Sequence, residues 1–590
     1  MKEIVLFGKC CVANQTKLAF KDVNSLSTKY GFIVKPECCN ERVMSYLKTL
    51  PTNYNSTFYK TWSDVTEKSR FELFIDQVLH YATTYGTDFQ AEAYVPNENF
   101  GEKLIDVYSD YRVIEPISIE ELSVKVQELL YSGIALSQDT IDSCFELINE
   151  FNLTIDVNNV KNKEILMLFC DKYGVLPTKP EEMVRYLVYK YTSKTLLIKD
   201  KETIRTIKSK SLTETSDLIN KYGVDKLSSV FNRFKPLFLA MKSGNAKTIN
   251  MLRKRSKTNH KAYEFGYFEQ LLSGKSDLSL LEDNLKTLSN FKKVALLKSI
   301  MVRKTKTTTM PVLVRNQKMY VKELSHPEKK DKNFFDFVFD MIYSSLVESL
   351  SKKACKVKLN DIITLAVPTS EKNFIGNVPY GSYIKTSEKN TIIGINWKSS
   401  DGANDLDLSF VDENLSKIGW NSSYYSHEQD IVYSGDVTDA NPEATELILF
   451  KKGVKNGLAQ INLYRGIPNS KYTLFFAQQP LDKSVEHNKM VDVNDILFSV
   501  ELSMDSKEML CGYAENNKFY FANIRKNNKR VSSGTSITKK LIDYTKETQN
   551  CVIPLEKLLK DSGFEIVYSK ELADIDLTNF DKSSLISLLA

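Results

Sequence analysis

Apolar side chains recur every three to four positions through much of residues 40–310, the spacing that gives a helix one buried stripe. "RFELFIDQVLHYATTYG" puts Phe71, Phe74, Ile75, Val78 and Leu79 on such a stripe, with Gly86 as its stop. "SIEELSVKVQELLYSG" opens with Ser118 and Glu121 in capping-box spacing, in which each side chain closes the other's free N–H, and ends at Gly133. "SQDTIDSCFELINEFN" repeats the stripe with Ile141, Cys144, Phe145 and Ile148. "TKPEEMVRYLVYKY" has a proline and two glutamates in its predicted first turn, where the free N–H groups favour both. Lys-Tyr-Gly occurs at 29–31, 172–174 and 221–223, and the later two read as helix exits.

Near residue 306 the pattern changes. "KTKTTTMPVLVRNQKMYVKE" predicts two short strands around Asn316–Gln317, and "NFFDFVFDMIYSSLVESLSKK" a helix packed on several sides. From about 370 onward the period drops to two. Runs such as "NTIIGINW", "DLDLSF", "TELILF", "YTLFFAQ" and "FYFANIR", separated by turn residues, predict an antiparallel sandwich, with a helix near 554–561 and a short strand behind it. The chain thus reads as a multidomain α + β protein with an α-helical repeat-like region at 1–310, an α/β connector at 311–370 and a β-sandwich at 371–590. The row of helices resembles a HEAT-type array in architecture, with irregular units.

At 590 residues the chain exceeds what one core holds. No run of about 18 apolar residues is present, so no membrane span is expected. "MKEIVLFGKCCVA" has too short an apolar stretch for a secretory leader and reads as the first element of the fold. Cys10–Cys11 and Cys38–Cys39 are adjacent pairs, whereas zinc sites space their ligands, so buried free thiols and a reducing cytoplasm are expected. The net charge is +6, but residues 191–310 carry 25 Lys/Arg against 10 Asp/Glu, and residues 391–450 carry 11 acids against 2 bases. A basic middle therefore faces an acidic patch in the same chain.

The familiar catalytic patterns (a P-loop, a dinucleotide fingerprint, H-E-x-x-H, G-x-S-x-G) are missing, and the five histidines are scattered. A non-enzymatic role is expected. The acidic patch is the better organised feature. In "SSDGANDLDLSFVDE" carboxylates alternate with leucines, so Leu406 and Leu408 would face a core and Asp405 and Asp407 would share the other face. "DIVYSGDVTDANPEATE" follows, with Asp436, Asp439 and Glu446. Oxygen-rich loops of this kind suit Ca²⁺, a hard cation. A plain solvated acidic edge would give the same pattern.

These residues resemble the TerD family of tellurium-resistance and stress-response proteins. Gly394 and Trp397 match its Gly-x-Gly-Trp-like strand. Asp405, Leu406, Asp407 and Ser409 match its Asp-Leu-Asp segment, and Gly435, Asp436 and Thr438 its Gly-Asp loop. Leu408 and "ANPEATE" depart from the family's pattern. The resemblance implies a calcium-binding β-sandwich with Asp405, Asp407 and Asp436 as core ligands and Asp401, Asp439 and Glu446 as further ones.

The basic middle concentrates in "MLRKRSKTNHKAY", with Arg253, Lys254, Arg255, Lys257, His260 and Lys261, and in "FKKVALLKSIMVRKTK", with Arg303 and Lys304. Tyr263, Phe265, Tyr267 and Phe268 follow the first cluster. Cations beside aromatics are what a phosphate backbone and stacked bases require, and a solvated helix face is the plainer alternative. The leading expectation is a stress-response or scaffold protein with a Ca²⁺-binding sandwich and a helical array that holds a protein partner or a second copy. RNA binding through 191–310 is the first alternative, and a structural part of a phage particle or other large assembly the second.

Overall fold

The computed structural model describes the chain except for residues 14–17, 28–29, 52–53, 55–67, 70, 73, 76–77, 80–112, 263, 274–276, 306–308, 315–317, 324–331, 387–388, 399–403, 427–429, 439, 441–442, 467–469, 483–490, 492–494, 505 and 527–534. The chain is mixed α/β, with helices prevailing in its first half and antiparallel sheets in its second.

Local signals in the helical half act as expected. In the helix Ile119–Tyr131, Ser118 N–H donates to Glu121 Oε2 (2.7 Å) and Glu121 N–H donates to Ser118 Oγ (3.0 Å). The helix Lys163–Tyr173 ends on Gly174 at φ +65°, the left-handed cap. Gly223, after the helix Glu214–Tyr222, instead has φ +115° and leads straight into the next short helix. The helix Pro180–Thr192 starts on its proline. At its described positions the predicted stripe at 71–79 is helical but not buried: Phe71, Phe74, Ile75 and Leu79 are all exposed, because the described residues do not cover them, while Gly86 lies outside the described residues.

Two compact units emerge, and neither is a linear third of the chain. One comprises Val126–Ala135 and Leu153–Asn284; the other comprises Met1–Lys125, Leu136–Asn152 and Leu285–Ala590. The smaller unit is helical throughout its described residues. Its core includes Met183, Leu187, Tyr191, Phe231, Phe238 and Leu252, each nearly or wholly buried.

The larger unit begins with strands that an all-helical reading of 1–310 lacks. β1 (Cys10–Val12), β2 (Ile33–Val34) and β3 (Val113–Ile117) form a parallel sheet in the order β1-β3-β2. Strands of two to five residues, with β2 and β3 far apart in sequence, show no period-two signal. Cys11, Cys38 and Cys39 are buried in the small core beside them. The hairpin β4 (Thr309–Val314) and β5 (Lys318–Glu323) follows, and the helix Lys332–Ser351 lies where the connector reading placed it.

Fourteen further strands precede or form the main sheets: β6 (Lys356–Lys358), β7 (Ile363–Thr364), β8 (Tyr383–Lys385), β9 (Asn390–Lys398), β10 (Asp405–Asp412), β11 (Lys417–Gly419), β12 (Tyr425–Ser426), β13 (Ile431–Tyr433), β14 (Glu443–Phe450), β15 (Gly457–Arg465), β16 (Ser470–Gln479), β17 (Ile496–Met504), β18 (Glu508–Glu515) and β19 (Lys518–Lys526). One sheet runs β11-β10-β15-β18-β19-β5-β4, with β8 and β7 joined through β19; the other runs β12-β13-β14-β9-β16-β17. The connector hairpin therefore extends the first sheet. Rings cross between the sheets, Phe410 to Phe450 (5.0 Å) and Phe476 to Phe519 (4.6 Å), and this defines the core. The helix Thr535–Thr548 covers part of the first sheet's outer face, where Val411, Leu458, Tyr513 and Tyr520 meet Leu541 and Ile542. β20 (Glu565–Val567) and β21 (Ile575–Asp576) flank β6 in a small parallel sheet. Among the described residues no helix is long and apolar enough to cross a membrane.

Gly394 on β9 is required sterically rather than for its backbone. A Cβ there would lie 2.1 Å from the ring of Phe475, its cross-strand partner on β16. Gly394→Ala is expected to cost about 1–3 kcal/mol, the usual range for overpacking, as a drop in the denaturant midpoint. An unchanged midpoint would show that Phe475 moves aside freely.

Candidate metal centre

β10 sorts its side chains as the alternation requires. Leu406, Leu408 and Phe410 are fully buried in the inter-sheet core, and Asp405, Asp407 and Ser409 point the other way. That second face is no solvated edge, because Asp405 is 8% and Asp407 2% exposed. The start of β10 is pinned from two sides. Trp397 Nε1 donates to the Asn404 carbonyl (3.0 Å), and Ser470 Oγ donates to Asn404 Oδ1 (2.7 Å).

The loop after β13 brings the third carboxylate. Gly435, at φ +115°, makes the turn that few side chains tolerate. Ser434 N–H donates to the Leu447 carbonyl (2.9 Å) on one side of Asp436. Val437 N–H donates to Glu446 Oε1 (3.0 Å) on the other. Glu446, fully buried on β14, also accepts from Leu408 N–H through Oε2 (2.7 Å). One glutamate therefore ties β10 to the loop and sets the distance between Asp407 and Asp436. Its two oxygens are engaged with main chain, so it serves as a brace beside the cluster.

Asp405, Asp407 and Asp436 each offer an oxygen, and the three oxygens lie within 4.8 Å of one another. Asp405 Oδ1 and Asp407 Oδ2, both buried, accept no hydrogen bond among the described residues. Asp436 is exposed and gives the cluster an open side. Asp401 and Asp439 lie outside the described residues.

The electrostatics follow from burial and like charge. Burial, then Asp436, push Asp405 up to about 6 against the pull of Arg465. Burial, then Asp405 and Asp436, push Asp407 up to about 8 against the pull of Lys417. Burial raises Asp436 as well, and burial with Asp407 raises Glu446 well above the carboxylate range. Carboxyls gathered this way either hold protons or share a cation. Oxygen ligands alone, with no imidazole or thiol in the cluster, suit Ca²⁺ or Mg²⁺ rather than zinc or copper.

A buried polar row runs inward from the cluster. Asp407 on β10 stands opposite Asn462 on β15, Asn462 opposite Glu508 on β18, and Glu508 pairs with Lys526 on β19. All four are at most 3% exposed. Sequence reading missed Asn462, Glu508 and Lys526, because a buried ion pair across two strands looks like ordinary solvent-face alternation.

The basic residues fall in both units. Arg253, Lys254, Arg255 and Lys257 are exposed on the helix Ala246–Asn259, with His260 and Lys261 exposed just beyond it. Arg255 pairs with Asp225 (3.5 Å). Phe265 is 67% exposed, and Tyr263 lies outside the described residues. In the other unit, Arg303 Nη1 donates to the Ser299 carbonyl (2.9 Å) and Lys304 pairs with Asp336. Compared with known proteins, the chain matches no family model, no curated protein and no solved structure.

Proposed function

We propose that residues 371–590 form a TerD-like β-sandwich that binds Ca²⁺ through Asp405, Asp407 and Asp436, in a non-enzymatic stress-response or scaffold protein whose helical region holds a protein partner or a second copy. The observation that carries this reading is the meeting of three carboxylate oxygens within 4.8 Å, two of them on buried side chains. Bringing such groups together is costly unless a cation or protons neutralise them. The brace Glu446 and the turn at Gly435 hold Asp436 at the open side of the cluster, so a bound ion would keep positions free for water or a partner's oxygen. Calorimetric titration of the whole chain with Ca²⁺ tests the reading. Saturable binding is expected, and its absence at neutral pH would end it.

A second reading, RNA binding, rests on the exposed cations of the helix Ala246–Asn259 beside the exposed Phe265. Changing Arg253, Lys254 and Lys257 together to Ala is then expected to weaken binding of a fluorescent oligouridine about tenfold. It should also reduce the log–log salt slope by about 2, since each phosphate contact on a single strand contributes roughly 0.7. Equal affinity and slope in parent and variant would dispose of this alternative.

A further inference from the structure

A second chemical feature lies away from the acidic cluster. Two extended segments, 365–370 and 551–555, pair through Val367 N–H to the Ile553 carbonyl (2.9 Å) and Leu555 N–H to the Leu365 carbonyl (2.8 Å). The helix Asn290–Lys304 borders the same recess, to which Val294 and Lys298 contribute one turn apart. Their neighbours there include Pro368, Tyr380, Cys551 and Val552. The room left is about 20 Å³, enough for one water-sized group. The Lys298 ammonium stands 4.4 Å from the centre of the Tyr380 ring. Among the described residues no carboxylate lies at ion-pair distance from it. Glu371, which follows Ser370 of the recess in sequence, pairs with Lys582 (2.6 Å).

We propose that Lys298 is a reactive amine that forms an imine with formaldehyde, the one aldehyde small enough for this recess. Nζ of the free amine attacks the carbonyl carbon and one of its protons passes to the carbonyl oxygen; the hydroxyl of this carbinolamine then leaves with the remaining Nζ proton as water, to give C=N. When protonated, the product keeps a positive charge over the Tyr380 face, as the ammonium does. A carbamate from CO₂ would turn Lys298, the one cation among the described residues that line the recess, into an anion with no cation to meet it, so carbonyl addition is the favoured chemistry. The groups that face Lys298 do not oppose its deprotonation. Burial brings its amine down to about 8, and the neighbouring thiol of Cys551, itself raised to about 11 by burial, stays uncharged at neutral pH. The Tyr380 hydroxyl is raised too and stays neutral.

The test uses the whole, unmodified chain. Isotopically labelled formaldehyde with cyanoborohydride traps imines as methylamines, and peptide mass spectrometry reads the initial rate at each lysine from pH 6 to 10. Lys298 is expected to react at least about tenfold faster at pH 7 than exposed Lys254 and Lys557, because the free amine is the nucleophile. Its rate should level off near pH 8. Pyridoxal phosphate, too bulky for the recess, should label Lys298 no faster than those exposed lysines. A Lys298 rate equal to that of the exposed lysines would overturn the proposal, as would rapid labelling of Lys298 by pyridoxal phosphate.

Discussion

Replacing Asp405 and Asp407 together by Asn is expected to abolish saturable Ca²⁺ binding and, in calcium-free buffer at pH 8, to raise the unfolding midpoint. The two effects have one cause. In the unfolded chain these carboxyls ionise near 3.8, whereas the fold holds Asp405 to about 6 and Asp407 to about 8. Between those limits the folded state binds more protons than the unfolded one. Stability is therefore fully present below about pH 4 and is lost as pH rises through 6 and 8. Each pH unit of displacement corresponds to about 1.4 kcal/mol, so the two displacements together set an upper limit of about 9 kcal/mol on what the calcium-free parent gives up across this window. Asparagine cannot ionise, so the variant's midpoint should fall less steeply there, with only the raised Asp436 and Glu446 of the cluster left to titrate. Calcium reverses the sign, since it replaces the protons, and its affinity for the parent should rise from pH 5.5 to 8. Titration calorimetry and denaturant melts at pH 5 and 8 check both statements. Undiminished binding by the variant, or a level parent midpoint, would sink the account.

Lys582→Ala is expected to be the most destabilising single change in the larger unit, by about 3–5 kcal/mol, the usual result of stranding a buried charge. Lys582 and Glu371 are 4% and 2% exposed and pair at 2.6 Å. Lys582 also donates to Thr140 (3.0 Å), Thr140 donates to Glu371 (2.7 Å), and Ser137 N–H donates to Glu371 Oε2 (2.5 Å). Burial pushes the Glu371 carboxyl up, but Lys582, Ser137 and Thr140 together hold it below the usual range. The pair thus stabilises the fold above about pH 4.5 and ceases to do so as pH falls through the depressed value. In the alanine variant the stranded carboxyl should take up a proton, so the deficit should shrink on acidification. The double change Lys582→Met/Glu371→Gln should recover most of the loss. Denaturant melts of the three proteins at pH 4 and 7 decide this; a double variant as weak as the single one would show that packing, not charge, is responsible.

Elements whose signal is local were legible in the sequence. Ser118 and Glu121 cap as their spacing indicates, and β9 to β19 include every strand that alternation and turn residues marked. The helix Thr535–Thr548 was not legible, because threonines share its buried stripe: Thr538 and Thr545 are as hidden as Leu541 and Ile542. The parallel sheet β1-β3-β2 depends on partners some eighty residues apart, which no local window sees. At the acidic site, alternation pointed to Asp405 and Asp407, and the TerD resemblance pointed to Asp436. Glu446 reads in sequence as one more carboxylate. Only the direction of its two oxygens, to Leu408 and Val437, marks it as a brace.

The interleaving of the two units bears on how the chain is made. Lys125 pairs with Asp581, Glu115 with Lys570, and Thr140 with Lys582, so contacts that close the larger unit join residues about 450 positions apart. Residues 153–284, by contrast, find nearly all of their core among themselves. On a ribosome the helical insert can fold while the strands of β9 to β19 are still being synthesised. The parallel sheet near the start of the chain must wait, its polar partners unmade, until residues 570–582 emerge. During that interval it is a natural client for a chaperone, and translation speed through the second half sets how long the wait lasts.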